Sequence, residues 1–114
     1  MADLVARGYL DDASYARHWV SARVPRGYGA SRLRAELRAR GVATRVIDEA
    51  LASLDGEDTL ARAREAARRR LPALRRGRPE RVAGRLRDFL LRRGYGGTVV
   101  ARVVRESVGV VAGD

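Results

Sequence analysis

The sequence predicts an all-α protein made of tandem three-helix repeats. Apolar residues recur at the three- and four-residue spacing of amphipathic helices along most of the 114 residues. The chain also repeats itself at an offset of 53 residues, which places two leucines and a glycine of one copy on those of the other: Leu33, Leu37 and Gly41 on Leu86, Leu90 and Gly94. In each copy an Arg-Gly pair ends an apolar helix, and a short turn leads into another.

The first repeat is predicted to occupy residues 11–56. Asp11 or Asp12 is suited to cap its first helix, because both side chains accept hydrogen bonds from free backbone N–H groups. That helix should run to about Val24, since Pro25 disfavours helical geometry at the residue before it. Its apolar face is expected to comprise Tyr15, Ala16, Trp19 and Ala22.

Two further helices complete this repeat. The second should begin near Ala30 or Ser31 and end at Gly41, because glycine favours the left-handed conformation that follows many helices. Thr44 is expected to cap the third helix, whose apolar residues follow the spacing i, i+3, i+4 and i+7: Ile47, Ala50, Leu51 and Leu54.

The second repeat is predicted to occupy residues 57–109 and to follow the same plan. Pro72 should kink or end its first helix, and Pro79 suits the opening turn of its second helix, which Gly94 closes. The last helix follows Thr98. Its four valines would suit a strand on propensity alone, but their paired spacing and their match to the first copy favour a helix: Val99, Val100, Val103 and Val104.

The two ends of the chain are expected to lie outside these repeats. Residues 1–10 resemble the remnant of a preceding repeat, so an upstream unit is predicted to be absent, and residues 110–114 form a short tail. Between the ends, eight apolar residues are predicted to form the buried seam: Leu33, Leu37, Ile47, Leu51, Leu86, Leu90, Val100 and Val104.

Charge is distributed unevenly along the chain. All 24 basic residues are arginine, and the net charge is +10. Residues 1–61 and 94–114 are each neutral, whereas residues 62–93 hold 13 arginines against three acidic residues. The whole excess therefore lies in one stretch, which indicates a polyanionic partner. A GC-rich genome would also favour arginine over lysine, but it would not leave the arginines unbalanced by acids.

This basic stretch supplies the candidate binding site. A run of charge is often only solvated surface, but an excess of ten on so small a protein favours contact with DNA phosphates or with a groove lined by DNA. The arginines expected to make these contacts are Arg68, Arg69, Arg70, Arg75, Arg76, Arg78, Arg81 and Arg85.

Other functional classes find little support in the sequence. There is no cysteine, and His18 is the only histidine, so no thiolate, two-histidine metal site or histidine pair exists. His18 is expected to pack, partly buried, at the edge of the first helix. We therefore predict a non-enzymatic, cytoplasmic protein without a cofactor, a membrane span or a signal peptide.

Four phrases of the sequence resemble the RecX family of regulatory proteins: residues 8–16 (GYLDDASYA), 26–29 (RGYG), 33–41 (LRAELRARG) and 89–95 (FLLRRGY). The resemblance covers about residues 4–106. It implies an elongated, curved arrangement of three-helix repeats that lodges in the groove of the RecA filament. It further implies inhibition of the RecA ATPase, of strand exchange and of SOS co-protease activity, and hence a role in recombinational repair.

Two functional hypotheses follow. In the first, the chain is a monomeric regulator of RecA filaments on single-stranded DNA, with double-stranded DNA as a further ligand. In the second, it is an autonomous helical module that binds DNA without sequence preference. Binding that requires RecA would favour the first, and equal affinity with or without RecA would favour the second.

Overall fold

The computed structural model describes the backbone of residues 2–54 and 56–109, and the side chains from residue 11 onward within those ranges. This part of the chain contains six α-helices and no strand, which confirms the predicted fold class. The helices are α1 (Ala2–Arg23), α2 (Ala30–Ala39), α3 (Thr44–Leu51), α4 (Gly56–Leu74), α5 (Val82–Arg92) and α6 (Gly97–Val108). Short 3₁₀ turns, Val24–Arg26 and Pro79–Arg81, follow α1 and precede α5. The predicted tail at 110–114 lies outside the described residues.

The six helices enclose two separate hydrophobic cores. Helices α1, α2 and α3 pack around the first core, and α4, α5 and α6 around the second. All eight residues of the predicted seam are buried, but they divide equally between the two cores instead of forming one seam. The molecule is accordingly elongated, with dimensions of 65 × 22 × 18 Å.

Helices α2 and α5 end in the same backbone motif. Gly41 and Gly94 have φ angles of +84° and +98°, as their positions after the predicted helices suggested. In each repeat the residue after this glycine donates its backbone N–H to the carbonyl oxygen of the residue five positions earlier. Val42 donates to Leu37 at 3.1 Å, and Tyr95 donates to Leu90 at 3.2 Å. This is the Schellman arrangement, in which the residue after glycine turns back onto the helix. Val42 and Tyr95 are therefore buried in their respective cores.

The repeats meet where the end of α5 abuts the start of α2. Gly29 donates its N–H to the carbonyl of Arg93 at 2.7 Å, and Ser31 donates to that of Gly94 at 3.1 Å. Helix α2 has no side-chain cap, so carbonyls of the second repeat satisfy N–H groups that its first turn leaves free. The negative end of one helix dipole thereby faces the positive end of the other. We call this contact, between residues 26–32 and 92–95, the inter-repeat joint.

Several local predictions were wrong. Asp11 and Asp12 lie inside α1 and do not cap it, because the helix already begins at Ala2. Thr44 is the first helical residue of α3, and no side chain caps that helix. On α1 the buried residues are Ala13, Ala16 and Val20, whereas Trp19 is half-buried and two members of the predicted face, Tyr15 and Ala22, are exposed. His18 is also exposed, with its Nδ1 3.1 Å from the carbonyl oxygen of Ser14.

Candidate nucleic-acid interface

All eight arginines of the predicted site are exposed, and they are spread over three segments of the second repeat. Three lie on α4, three lie in the turn that joins α4 to the 3₁₀ segment, and the last two lie in that segment and on α5. Because α5 begins only at Val82, Arg78 and Arg81 do not share one continuous α-helix with Arg85. The basic surface therefore wraps around the α4–α5 turn.

Three of the eight arginines make ion pairs or hydrogen bonds within the second repeat. Arg68 and Arg69 both pair with the carboxylate of Glu65, at 2.6 and 2.9 Å, and this hydrogen bonding, with Arg68 as the stronger partner, lowers the pKa of Glu65. Arg75 donates to the carbonyl oxygen of Ser107 at 3.2 Å, near the end of α6. Exposed pairs of this kind are weak, so they leave the arginines able to exchange partners.

The remaining predicted arginines make no ion pair with any side chain that the structure describes. We call Arg76, Arg78 and Arg81 the turn arginines, since they follow one another between α4 and α5. Arg85 and Arg70 are brought together from two helices, where they line a groove of about 260 Å³ with Arg92, Phe89 and a single acidic residue, Asp88. These side chains leave positive charge unneutralised at the surface.

A second group of arginines, which the sequence did not single out, stacks on aromatic rings at the inter-repeat joint. The Arg93 guanidinium lies 4.8 Å from the centre of the Tyr28 ring and 5.2 Å from that of Phe89, so it links a ring of each repeat. Arg23 and Arg32 also lie over Tyr28, each at 4.7 Å. Such cation–π contacts favour arginine, whose planar group stacks on a ring.

Glu36 is the acidic centre of this group. Its carboxylate accepts hydrogen bonds from Trp19 Nε1 at 2.9 Å, from Arg23 at 2.9 Å and from Arg32 at 3.1 Å. Burial by itself raises the pKa of Glu36, but these hydrogen bonds, led by the one from Trp19, outweigh it, and the pKa lies below its ordinary value. Trp19 is therefore held inside the first repeat, and Tyr15 is the exposed aromatic residue beside it.

Tyr95 closes the joint from the second repeat. Its ring is buried in the second core, and its hydroxyl donates to the carbonyl oxygen of Gly27 at 2.8 Å. Burial raises the pKa of Tyr95, so the hydroxyl stays protonated and keeps this bond at neutral pH. The structure places both Tyr28 and Tyr95 at the joint.

Two negative findings concern the residues that the structure describes. Among them, no group of three or more His, Cys, Asp or Glu side chains is placed to hold a metal ion. Nor is any of their helices long and apolar enough to cross a membrane. What the arrangement provides is exposed guanidinium groups, which bind phosphate or carboxylate groups through forked hydrogen bonds.

Two family models match the chain. Residues 11–51 match the second three-helix domain of RecX, and residues 57–104 match the third. Each matched segment overlaps all three helices that surround one of the two cores. No solved structure matches the chain.

Curated proteins also resemble the chain along most of its length. It is 42% identical over 103 residues to "Regulatory protein RecX" of Thermobifida fusca, which covers 89% of the chain and 55% of that protein. It is 45% identical over 94 residues to the protein of the same name from Halorhodospira halophila, covering 81% of the chain and 56% of the relative. It is 38% identical over 99 residues to the protein of the same name from Deinococcus radiodurans, which covers 87% of the chain and 46% of the relative. The chain thus spans about half the length of these relatives.

Proposed function

The chain belongs to the RecX family of regulatory proteins, and from that premise we propose that it regulates the RecA recombinase by binding RecA filaments on single-stranded DNA. In this proposal it inhibits the DNA-dependent ATPase of RecA, strand exchange and SOS co-protease activity. It acts in the cytoplasm, as a monomer, and takes part in recombinational repair.

One observation supports the DNA-directed part of this proposal above all others. The charge excess of the sequence is carried by exposed arginines on the second repeat, and the turn arginines make no ion pair with the described residues. Unpaired surface cations release the counterions of a nucleic acid when they bind its phosphates, which favours association. Because such contacts do not read base edges, binding is expected to be independent of sequence.

The first repeat is suited to a different task. Its net charge is only +2, from eight arginines and six acidic residues between 11 and 56, and several of its arginines are engaged by Glu36 and by aromatic rings. We propose that this repeat contacts RecA protein, with exposed Tyr15 on α1 as a contact residue. A long molecule with one weakly charged and one strongly basic half would then bridge protein and DNA along the filament groove.

Autonomous DNA binding is the second candidate, and the same unpaired arginines favour it. The two functions differ in their dependence on RecA. A regulator of filaments lowers ATP hydrolysis at concentrations well below those at which it binds bare DNA. An autonomous module lowers ATP hydrolysis only by competing for DNA, so the effect disappears when DNA is in excess.

The test is a titration of the chain into RecA on single-stranded DNA, with ATP hydrolysis as the readout. We expect inhibition that persists when the DNA concentration is raised severalfold. A chain carrying Tyr15→Ala should inhibit less while its affinity for bare DNA is unchanged, and Ala22→Ser, an exposed change on the same helix, serves as the control. No inhibition at saturating protein would contradict the proposal.

A further inference from the structure

A cleft of about 280 Å³ opens between the two repeats, next to the inter-repeat joint. The 3₁₀ turn after α1 and Gly27 form one wall, and residues of α4 and α5 with Arg93 form the other. Five arginines line it, one from the first repeat and four from the second: Arg26, Arg62, Arg69, Arg70 and Arg93. The cleft is therefore built jointly by both repeats, and its lining is strongly basic.

The cations of this cleft are poorly neutralised. Glu65 is the single acidic residue of the lining, and it already pairs with Arg68 and Arg69. Arg62 donates to the hydroxyl of Thr59 at 3.2 Å, while its Nε is buried without a hydrogen-bond partner among the described residues. A buried donor without a partner carries a cost in free energy, and it adds to the unneutralised charge of this arginine.

The guanidinium groups are also held in place by stacking. Arg70 lies 5.4 Å and Arg93 5.2 Å from the centre of the Phe89 ring, which itself lines the cleft. A guanidinium fixed by one face keeps its N–H edge available for a forked bond to phosphate. An aromatic ring beside such cations is the combination that proteins use to bind single strands without reading their sequence.

We propose that this cleft binds a phosphodiester segment of single-stranded DNA, held between the two repeats by Arg26 on one side and by Arg62 and Arg70 on the other. The volume of about 280 Å³ admits a short stretch of flexible backbone and not a whole duplex. The inference rests on the proposed function, because it presupposes that the chain contacts DNA. It adds a site that includes a residue of the first repeat, outside the stretch 62–93 that holds the charge excess.

Arg26 provides the decisive test. Its side chain is exposed and forms no hydrogen bond or ion pair with the described residues, and a substitution keeps its backbone carbonyl, which accepts a hydrogen bond from Arg93. Arg38, on α2, is an equally exposed arginine of the same repeat that does not line the cleft. Arg26→Gln and Arg38→Gln therefore remove the same charge from the same repeat, at positions inside and outside the proposed site.

The measurement is the affinity of the full chain for a fluorescent oligothymidylate, followed by anisotropy over a series of salt concentrations. We expect Arg26→Gln to weaken binding about tenfold, the loss expected for one charge-assisted hydrogen bond. The salt dependence of log affinity should flatten by about 0.7, as for one phosphate contact to a single strand. Arg38→Gln should leave both quantities close to those of the unmodified chain.

Three outcomes would contradict the assignment of the cleft as a binding site for single-stranded DNA. The first is equal behaviour of the two variants while the unmodified chain still binds oligothymidylate, which would leave the proposed function intact. The second is equal weakening of oligothymidylate and hairpin-duplex binding by Arg26→Gln, which would show no preference for a single strand. The third is a competition experiment in which polyglutamate displaces the oligonucleotide from the chain and Arg26→Gln weakens only the binding of polyglutamate. That result would identify the occupant of the cleft as an acidic protein segment. Failure of the unmodified chain to bind DNA at all would instead refute the DNA-directed part of the proposed function.

Discussion

Replacing Gly94 with alanine should weaken the inter-repeat joint while leaving both hydrophobic cores in place. A Cβ atom at this position would lie 2.4 Å from the backbone nitrogen of Arg32 and 2.9 Å from the carbonyl oxygen of Gly29. Both atoms belong to the rigid start of α2, so they cannot move aside as the end of a flexible side chain would. The substitution should therefore push α2 away from the end of α5 and break the hydrogen bonds that Gly29 and Ser31 donate across the joint.

Gly41 supplies a matched control for the magnitude. It occupies the equivalent position of the first repeat, with φ of +84° against +98°, but a Cβ there would have no atom within 4 Å. Alanine in this left-handed conformation costs about 1–2 kcal/mol, and this cost applies to both positions. Gly94→Ala adds the loss of two backbone hydrogen bonds, at about 1 kcal/mol each. We expect Gly94→Ala to cost about 2 kcal/mol more than Gly41→Ala.

Urea unfolding followed by circular dichroism at 222 nm would measure both values. Since the two cores share no buried residue, a broken joint should also separate the unfolding of the two repeats. The Gly94→Ala transition should then be broader, with a smaller m-value, whereas Gly41→Ala should shift the midpoint and keep the m-value. Equal destabilisation by the two substitutions, with equal m-values, would refute the description of the joint.

Three further predictions concern the core, the basic surface and one ion pair. Leu90→Ala should cost about 2–5 kcal/mol of unfolding free energy, whereas its exposed neighbour Leu91→Ala should change it by less than about 0.5 kcal/mol, and similar urea midpoints would contradict the second core. Hydrogen bonds from Arg64 and then Arg102 lower the pKa of Glu106 to about 2, so the stability that this carboxylate contributes is present above pH 4.5 and is lost as the pH falls from 4.5 towards 2. Thermal melts of Glu106→Gln should show a smaller loss of stability over that interval, and an unchanged loss would argue against the pair. Changing the three turn arginines, Arg76, Arg78 and Arg81, to Glu should lower the salt slope of single-strand binding by about 2. The control changes three exposed arginines of the first repeat to Glu and loses the same net charge, but it should leave the slope unchanged: Arg17, Arg38 and Arg45.

The helices and their buried leucines were predictable because the signals are local. Leu33 and Leu37 lie one turn apart on α2, and the same pattern returns 53 residues later in Leu86 and Leu90. A helix can bury such a stripe only on one side, so the periodicity determines the face. Gly41 and Gly94 were predictable for a similar reason, since the left-handed end of a helix selects glycine at one position.

The joint and its aromatic stack were not predictable, because they connect residues far apart in the sequence. The Tyr95 hydroxyl reaches the carbonyl oxygen of Gly27, 68 residues away, and no local pattern encodes that contact. The wrong caps on α1 have a different cause, which lies in the segment just before them. Asp11 and Asp12 have the chemistry of a cap, but a helix continues through such residues when the preceding segment is also helical, and their side chains then remain in solvent.

The placement of the arginines bears on why this chain uses arginine where lysine would supply the same charge. A GC-rich genome explains a preference for arginine at any position, but it does not explain guanidinium groups placed 4.1, 4.8 and 5.4 Å from the ring centres of Trp19, Tyr28 and Phe89. Arg93 stacks on rings of both repeats and lines the basic cleft, so it holds the joint and faces the proposed phosphate at once. A ligand that bonds to Arg93 therefore acts on the same group that fixes the two repeats relative to each other. On this reasoning, DNA in the cleft should also stiffen the joint between the two repeats.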